Sequence, residues 1–369
     1  MKLRIGITGQ NGFIGYHVLQ HLRLQPELYE IIPFEKEFFN TPQKLTDFVS
    51  KCDVIIHLAA MNRGDEQEIY DTNISLVKKL ISAMDDAGVT PHILFSSSTQ
   101  ENKGNPYGNS KKIGAELFSQ WSQSNNSVFT HYVIPNVFGP FSRPYYNTVV
   151  ATFCYQLTHG EKPVIITNTE MNLIYVGDLV SDFFAHINDT KSSVVSPKPV
   201  TSINVSGLLY KLELFKEWYF DKGMIPNLQN SFEVNLFNTF RSFANDIMPI
   251  YPDLHSDPRG TFVEVIKERT GGQTSFSTTL PSITRGNHFH MRKIERFCVV
   301  KGKALIQTRK IGTDHVNEYM VSGNKPAFID MPIFYAHNIK NIGEEELLTI
   351  FWTNEIFDPN DPDTFYEEV

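Results

Sequence analysis

Residues 2–15, KLRIGITGQNGFIG, decide how the first half of the chain folds. The apolar strand KLRIGIT runs directly into Gly9-Gln10-Asn11-Gly12-Phe13-Ile14-Gly15, and YHVLQHLRL beyond it has the apolar spacing of a helix. Strand, glycine turn and helix in that order predict the opening of a parallel α/β sheet. Gly9 permits the tight turn, Gly12 lets a pyrophosphate approach the backbone, and Gly15 lets helix and strand pack closely. The helix N-terminus adds amides and positive dipole to such a phosphate. A glycine-rich turn with no ligand is the plainer alternative.

Working outward, the next informative stretch is residues 95–111, FSSSTQENKGNPYGNSK. It leaves an apolar strand, HILF, passes a serine cluster and a polar loop, and enters a predicted helix at Tyr107. Tyr107 and Lys111 are four apart, so on a helix they share one face. An ammonium beside a phenol stabilises phenolate, so Lys111 is expected to lower the Tyr107 pKa from about 10. A tyrosine tuned in this way can protonate a carbonyl oxygen while hydride reaches its carbon, with a serine hydroxyl holding that oxygen. A surface tyrosine and a solvated lysine have the same spacing.

At 369 residues the chain has room for two domains. Its apolar and charged fractions, 41% and 20%, are those of an ordinary soluble protein. A net charge of -8 without any basic run argues against nucleic acid as a partner. Cys52, Cys154 and Cys298 are scattered and make neither a disulfide framework nor a CxxC zinc site. With no signal-peptide pattern and no apolar run long enough for a bilayer, the expectation is a cytoplasmic protein without membrane contact.

From Arg143 to about Leu228 helix and strand alternate, which should complete the sheet and add a substrate lobe. KLELFKEWYF, residues 211–220, reads as an amphipathic core helix, and the phenylalanines of 232–243 as packing or subunit contact. Prolines interrupt the helical pattern at 244–253, and short alternating strands follow, as in an antiparallel sandwich or barrel. The expected domains are therefore 1–245 and 246–369. Two clusters lie in the second: Arg285-Gly286-Asn287-His288-Phe289-His290 with Glu295, and Pro332-Ile333-Phe334-Tyr335-Ala336-His337. His288 and His290, two apart on a strand, share a face. A third histidine and a carboxylate from neighbouring strands would complete a shell of three nitrogens and one oxygen for a metal, although an isolated pair of this kind is more often incidental.

The GxxGxxG spacing, with Thr8 before it and Phe13 inside it, resembles the extended short-chain dehydrogenase/reductase family. His57-Leu58-Ala59-Ala60 after an apolar strand, Ser96-Ser97-Ser98, Tyr107 with Lys111, Ile134-Pro135-Asn136-Val137-Phe138-Gly139-Pro140 and LIYVGDLV at 173–180 follow in the family's order. The resemblance implies a Rossmann-like doubly wound parallel sheet, with Tyr107 as general acid, Lys111 as its pKa partner and Ser98 as the carbonyl-orienting hydroxyl. Ser97 is the alternative serine. Cofactor contacts are implied at Thr8, Gly9, Asn11, Gly12, Phe13, Ile14, Gly15, Leu58, Ala59, Ala60, Ser96, Tyr107, Lys111, Pro135, Asn136 and Val137. Substrate contacts are expected at Ser98, Asn136, Arg143 and Asn147, near Tyr146, with Arg143 suited to a diphosphate. The second strand ends in Glu35-Lys36-Glu37, which offers both signs. The relatives use NADPH, so NADPH with Lys36 at its phosphate is expected.

The two histidine clusters resemble the two cupin motifs, although Phe334 stands where a glycine is usual. The resemblance implies a divalent metal at His288, His290, Glu295 and His337, zinc first, with iron or manganese also compatible. Asp257-Pro258-Arg259-Gly260-Thr261-Phe262 and Arg285-Gly286-Asn287-His288 resemble the dTDP-sugar 3,5-epimerases, which carry no metal constellation. Tyr335, Tyr319, Lys293 and a metal-bound hydroxide remain open as proton-transfer groups. The domain order as a whole, with NPYG, YNTVVATFCY, GNHFH and the tail NEIFDPNDPDTFYEEV, resembles bifunctional capsular-polysaccharide enzymes. That likeness implies C3 epimerisation of UDP-2-acetamido-2,6-dideoxy-L-arabino-hexos-4-ulose by an all-β cupin (jelly-roll) domain. NADPH-dependent C4 reduction to UDP-2-acetamido-2,6-dideoxy-L-talose would follow, on the way to UDP-N-acetyl-L-fucosamine. A homodimer is expected. A reductase with a purely structural or dimerising cupin, and a non-catalytic sugar-nucleotide sensor, are the alternatives.

Overall fold

The structure is a computed structural model of the chain and describes residues 2–244 and 248–369. It divides into two compact units, Met1–Thr152 with Thr167–Val205, and Phe153–Ile166 with Ser206–Val369.

Up to residue 204 the chain alternates strand and helix: β1 (Leu3–Thr8), α1 (Phe13–Arg23), β2 (Tyr29–Ile32), α2 (Pro42–Val49), β3 (Val54–His57), α3 (Glu66–Ala87), β4 (His92–Ser98), α4 (Pro106–Ser124), β5 (Phe129–Ile134), β6 (Asn136–Phe138), α5 (Val149–Thr158), β7 (Glu170–Tyr175), α6 (Val176–His186), β8 (Ser193–Val195) and β9 (Thr201–Asn204). The main sheet is parallel, in the order β2-β1-β3-β4-β5-β8. Both faces are covered, so β1, β3 and β4 bury apolar residues on either side of the sheet. Ile55, Ile93 and Phe95 pack with Phe48, Leu80 and Phe118 on one face. Their neighbours Val54, Ile56 and Leu94 pack with Val18, Leu179 and Phe183 on the other. Strand order reverses between β1 and β3, so a crevice opens beyond their carboxyl ends, where ligands bind in sheets of this kind. The glycine turn and residues 57–60 both lie there.

After α7 (Val205–Lys216) and α8 (Ser231–Arg241), the second unit is all β. Its strands are β10 (Leu254–Asp257), β11 (Gly260–Val263), β12 (Gln273–Thr279), β13 (Thr284–Phe289), β14 (Glu295–Lys301), β15 (Lys303–Lys310), β16 (Val316–Ser322), β17 (Phe328–Met331), β18 (Tyr335–Asn341), β19 (Leu347–Thr353) and β20 (Phe365–Tyr366). One large antiparallel sheet is ordered β12-β19-β14-β17 and a second β16-β15-β18-β13-β20, while β10 and β11 pair separately as a two-stranded sheet. Val299, Ile329 and Leu347 of the first pack in one cluster with Ala304, Ile306 and Ile339 of the second, as in a sandwich.

The domain boundary expected at 245/246 falls on residues outside those described. The compact units divide earlier, at Val205, and the helices expected to belong to a substrate lobe sit with the β sandwich. A buried charge network accounts for this. Arg296 and Asp330 form an ion pair at 2.7 Å with both side chains out of water. Tyr219, just after α7, donates to Asp330 at 2.7 Å, and Arg296 donates to the Gly223 carbonyl at 2.7 Å. Phe232, Phe237 and Phe240 of α8 are buried, so the phenylalanine-rich segment serves packing.

Candidate functional site

In the α/β unit Gly9 adopts φ +79°, and a side chain there would lie 2.8 Å from the Ala59 nitrogen. A side chain at Gly15 would lie 2.2 Å from the Gly9 carbonyl oxygen, so the turn folds flat against α1. Gly12 caps α1 without any side-chain hydrogen bond, leaving the first amides of the helix open to an anion. Thr8 and His57 bind one another across β1 and β3 (Oγ1 to Nδ1, 2.7 Å), and the Ala59 amide donates to Thr8 at 3.3 Å. This link joins the glycine turn to residues 58–60. Spacing did not reveal it, because the partners are far apart in sequence.

Asn105 caps α4 by accepting from the Gly108 amide at 2.7 Å, and Pro106 fits the first helical position. Tyr107 and Lys111 therefore start a helix that packs on β4. Lys111 is 3% exposed and donates to the Ser96 carbonyl at 2.7 Å, with its amine 5.0 Å from the Phe95 ring centre and 5.8 Å from that of Tyr107. Burial pulls the Lys111 pKa down to about 7. Burial, and then the neighbouring Tyr146, push the Tyr107 phenol up to about 12. This corrects the expectation that Lys111 lowers Tyr107: desolvation makes each group favour its neutral form, and Lys111 brings no compensating fall in the phenol's pKa.

The three serines differ in what they bind. Ser96 donates to the His57 carbonyl at 3.0 Å, and Ser97 donates to Glu101 at 2.6 Å, which also meets His131 at 3.0 Å. Ser98 accepts from the Gln100 amide at 3.2 Å, which leaves its own hydroxyl hydrogen free for a ligand. Of the pair left open by sequence, Ser98 is the one equipped to donate. The turn after it abuts α4 so closely that a side chain at Gly108 would lie 2.0 Å from the Gln100 carbonyl oxygen.

Arg143 and Asn147 are exposed on a loop that folds back over residues 62–63. Tyr146 donates to Asn62 at 3.1 Å, Arg63 donates to the Tyr146 carbonyl at 3.2 Å, and Arg143 lies over the Tyr146 ring. Asn136 is exposed at the start of β6, and Val137 and Leu58 pack at the core margin. Phe13 and Ile14 begin α1 beside the exposed Asn11, and Pro135 links β5 to β6. Lys36 is exposed after β2.

In the β unit His288, His290, Glu295 and His337 place one donor atom each within 4.8 Å of one another. His288 on β13 is paired with His337 on β18, past an irregularity at Gly286 (φ +101°) and Asn287 (φ +60°). His290 lies just beyond β13, and Glu295 begins β14. Nδ1 of His337 faces the Tyr335 carbonyl at 3.2 Å, and Nδ1 of His290 donates to the Asp363 carbonyl. Both rings consequently direct Nε2 at Glu295 Oε2, at 3.1 Å from His290 and 3.3 Å from His337. These three buried atoms have no well-formed hydrogen bond. Two lone-pair nitrogens cannot face a carboxylate stably without a proton or a cation between them, so the donor set fits a divalent metal. Burial opposes ionisation of Glu295, yet His290 and His337 hold its pKa well below the usual carboxylate range. For His290 burial is outweighed by Glu295, which raises its pKa; for His288 burial, with His337 and His290, lowers it to about 4.

Phe334 takes the glycine's place without losing the turn. It adopts φ +59°, is buried, and its amide donates to the His290 carbonyl at 2.7 Å. The left-handed backbone costs about 1–2 kcal/mol, and burying the ring returns roughly 1.5–3 kcal/mol.

Comparison with known proteins agrees with both halves. Residues 5–198 match the NAD dependent epimerase/dehydratase family, and residues 255–365 match the polysaccharide biosynthesis C-terminal domain. The chain belongs to the NAD dependent epimerase/dehydratase family. Within it the protein is CapF-like. It is similar to the capsular polysaccharide assembling protein CapF of Staphylococcus aureus at 34% identity, with all of both chains covered and a TM-score of 0.64. It is 33% identical over 370 residues, 98% of each chain, to the UDP-2-acetamido-2,6-beta-L-arabino-hexul-4-ose reductase of Pseudomonas aeruginosa PA103. The spore coat polysaccharide biosynthesis protein SpsL of Bacillus subtilis 168 is 25% identical over 119 residues, covering 30% of this chain and 79% of its own. The Rossmann-like parallel sheet followed by an all-β region, expected from sequence, is the fold of this CapF-like chain. No described helix is long and apolar enough to cross a membrane.

Proposed function

We propose that this CapF-like protein converts a UDP-linked 4-keto amino sugar in two steps, epimerisation at C3 in the β unit and NADPH-dependent reduction at C4 in the α/β unit. The observation that carries the reductive step is the buried Lys111 one helical turn from the half-buried Tyr107, with Ser98, whose hydroxyl hydrogen is free, ending the strand that Lys111 binds. NADPH, when bound, supplies hydride to C4. Ser98 donates to the C4 oxygen and orients it. Tyr107, which burial keeps protonated, gives that oxygen its proton. Lys111 stabilises the phenolate left behind, and water restores the proton. Residues 8–15, with 58–60, hold the dinucleotide, and Lys36 reaches its extra phosphate. Arg143, Asn136 and Asn147 bind the UDP-sugar.

In the β unit His288, His290, Glu295 and His337 hold a divalent ion, zinc by preference. When bound, it supplies Lewis-acid polarisation of the sugar's oxygens. A proton on carbon beside a ketone is acidic because the carbanion delocalises onto oxygen, and reducing the ketone removes that acidity. Epimerisation therefore precedes reduction. The arabino-configured 4-ulose is the substrate and the L-talose derivative the product, on a cytoplasmic route to UDP-N-acetyl-L-fucosamine for capsule or O-antigen. The working form is a homodimer. The relative's printed name and the complete length of the similarity support the choice of sugar.

The full-length Tyr107→Phe variant tests both steps. Incubated with the keto-sugar in heavy water, it is expected to introduce deuterium at C3 without consuming NADPH. Absence of deuterium removes the epimerase and leaves a reductase with a structural β unit. Continued NADPH consumption removes Tyr107 as the acid.

A further inference from the structure

The C-terminal tail carries a contact that the two histidine motifs do not contain. Asp363 is 3% exposed and adopts φ +40°, a left-handed backbone unusual for a residue other than glycine. Its Oδ1 accepts from the Met291 amide at 3.1 Å, and its Oδ2 accepts from the amides of Arg292 at 3.0 Å and Lys293 at 2.9 Å. One carboxylate thus closes three successive amides of the turn between two candidate ligands, His290 and Glu295. The Asp363 carbonyl accepts from Nδ1 of His290. A carbonyl has no hydrogen to give, so this contact places the ring proton on Nδ1 and leaves the Nε2 lone pair facing the cluster. Further along, Phe365 and Tyr366 pair with Phe289 and His288, and Lys293 donates to the Pro362 carbonyl.

We propose that Asp363 is the positioning residue of the metal site: its carbonyl fixes the His290 tautomer, and its carboxylate holds the 291–293 turn that sets His290 and Glu295 at ligating distance. The inference rests on the metal reading above. Nothing in the local sequence pointed to it, since Asp363 lies some seventy residues from the groups it touches.

Full-length wild type, Asp363→Ala, Asp363→Asn and Asp361→Ala are compared by zinc affinity against a chromophoric chelator and by the visible spectrum after cobalt loading. Asp361 binds the same Arg292 from the exposed side and serves as the control for general docking of the tail. Asp363→Ala is expected to weaken zinc about 10- to 100-fold and to alter the cobalt bands, as loss of an outer partner of a ligand does. Asp363→Asn, which keeps one acceptor oxygen, falls between it and wild type, and it also serves should the alanine variant not fold. Asp361→Ala matches wild type. Unchanged affinity and spectrum in both Asp363 variants, with only the melting temperature of the metal-free protein lowered, would overturn the proposal. So would an Asp361→Ala defect as large as that of Asp363→Ala. If wild type takes up neither ion, the metal reading itself fails, which is a separate result from a wild type that binds while the variants bind equally well.

Discussion

The α/β unit and the β unit both bury ionisable side chains, with opposite electrical outcomes. Around Tyr107 and Lys111 desolvation wins: the phenol is pushed up to about 12 and the amine down to about 7, so the pair drifts toward neutrality. Around Glu295 desolvation loses, because a proton on the histidines at 3.1 and 3.3 Å, or a cation in its place, holds the carboxylate ionised. The difference lies in what each group can reach. Among the described residues Lys111 has a backbone carbonyl and aromatic rings for company, and no carboxylate partner. A neutral tyrosine is ready to give a proton away, whereas a convergent charged cluster is ready to accept a cation. Buried polarity alone does not identify a site's chemistry; the sign of the charge that survives burial does.

The comparison is most severely tested at its two centres. Tyr107→Phe should lower kcat for ketone reduction by about 10²- to 10⁴-fold, the range for loss of a general acid, while NADPH affinity measured by fluorescence titration stays near wild type. Full turnover would mean that the neutral phenol is a bystander. Glu295→Gln removes the charge that survives in the β unit. Zinc affinity should fall about 10- to 100-fold or more, read by chelator competition, with ketone reduction of an already epimerised substrate unaffected. Equal metal uptake in the variant would show that the ionised carboxylate is an ordinary internal ion pair.

How much of this was legible beforehand depends on the range of the interactions. The glycine turn, the α4 cap with Tyr107 and Lys111, and the His288–His290 pair declare themselves by spacing, because strand and helix periods are local. The choice among Ser96, Ser97 and Ser98 was not legible, since it rests on His57 and Glu101 taking two of the three hydroxyls. The sign of the Tyr107 shift was misjudged because sequence gives proximity along a helix and not depth of burial. The proline-marked break at 244–253 is a local signal, whereas the network of Arg296, Asp330 and Tyr219, which ties the segment after α7 to the β sandwich, is long-range and has no signature in spacing. Phe334 was an exception to a motif whose backbone is retained nonetheless, because the buried ring offsets the cost of its conformation.

A milder test uses pH. With its pKa near 7, Lys111 loses its charge as pH rises through neutrality, and with it the field that stabilises the phenolate formed during reduction. Between about pH 6 and about pH 8.5, kcat for reduction at saturating NADPH should fall several-fold, and Lys111→Arg, charged throughout, should flatten that limb. Stability moves the other way. The folded pKa lies below the unfolded value of about 10.4, so between the two the unfolded chain binds more protons and folding is favoured as pH rises. A rate that climbs across neutrality would mean that the neutral amine is the working form.

The smallest expected effect belongs to a charge that was never buried. Lys36 is exposed at the turn after β2, where water screens whatever it meets. An exposed contact of this kind is worth about 0.2–1 kcal/mol, so Lys36→Ala should weaken NADPH by no more than about fivefold and leave NADH unchanged. The effect should fade as ionic strength rises, because the Debye length shrinks to about 8 Å at physiological salt and further above it. Isothermal titration with both nucleotides at two salt concentrations separates the cases. Equal, salt-independent losses for NADH and NADPH would place Lys36 in the fold and not at the phosphate, and the preference between the nucleotides would then have to come from Glu35, Glu37 or the backbone around them.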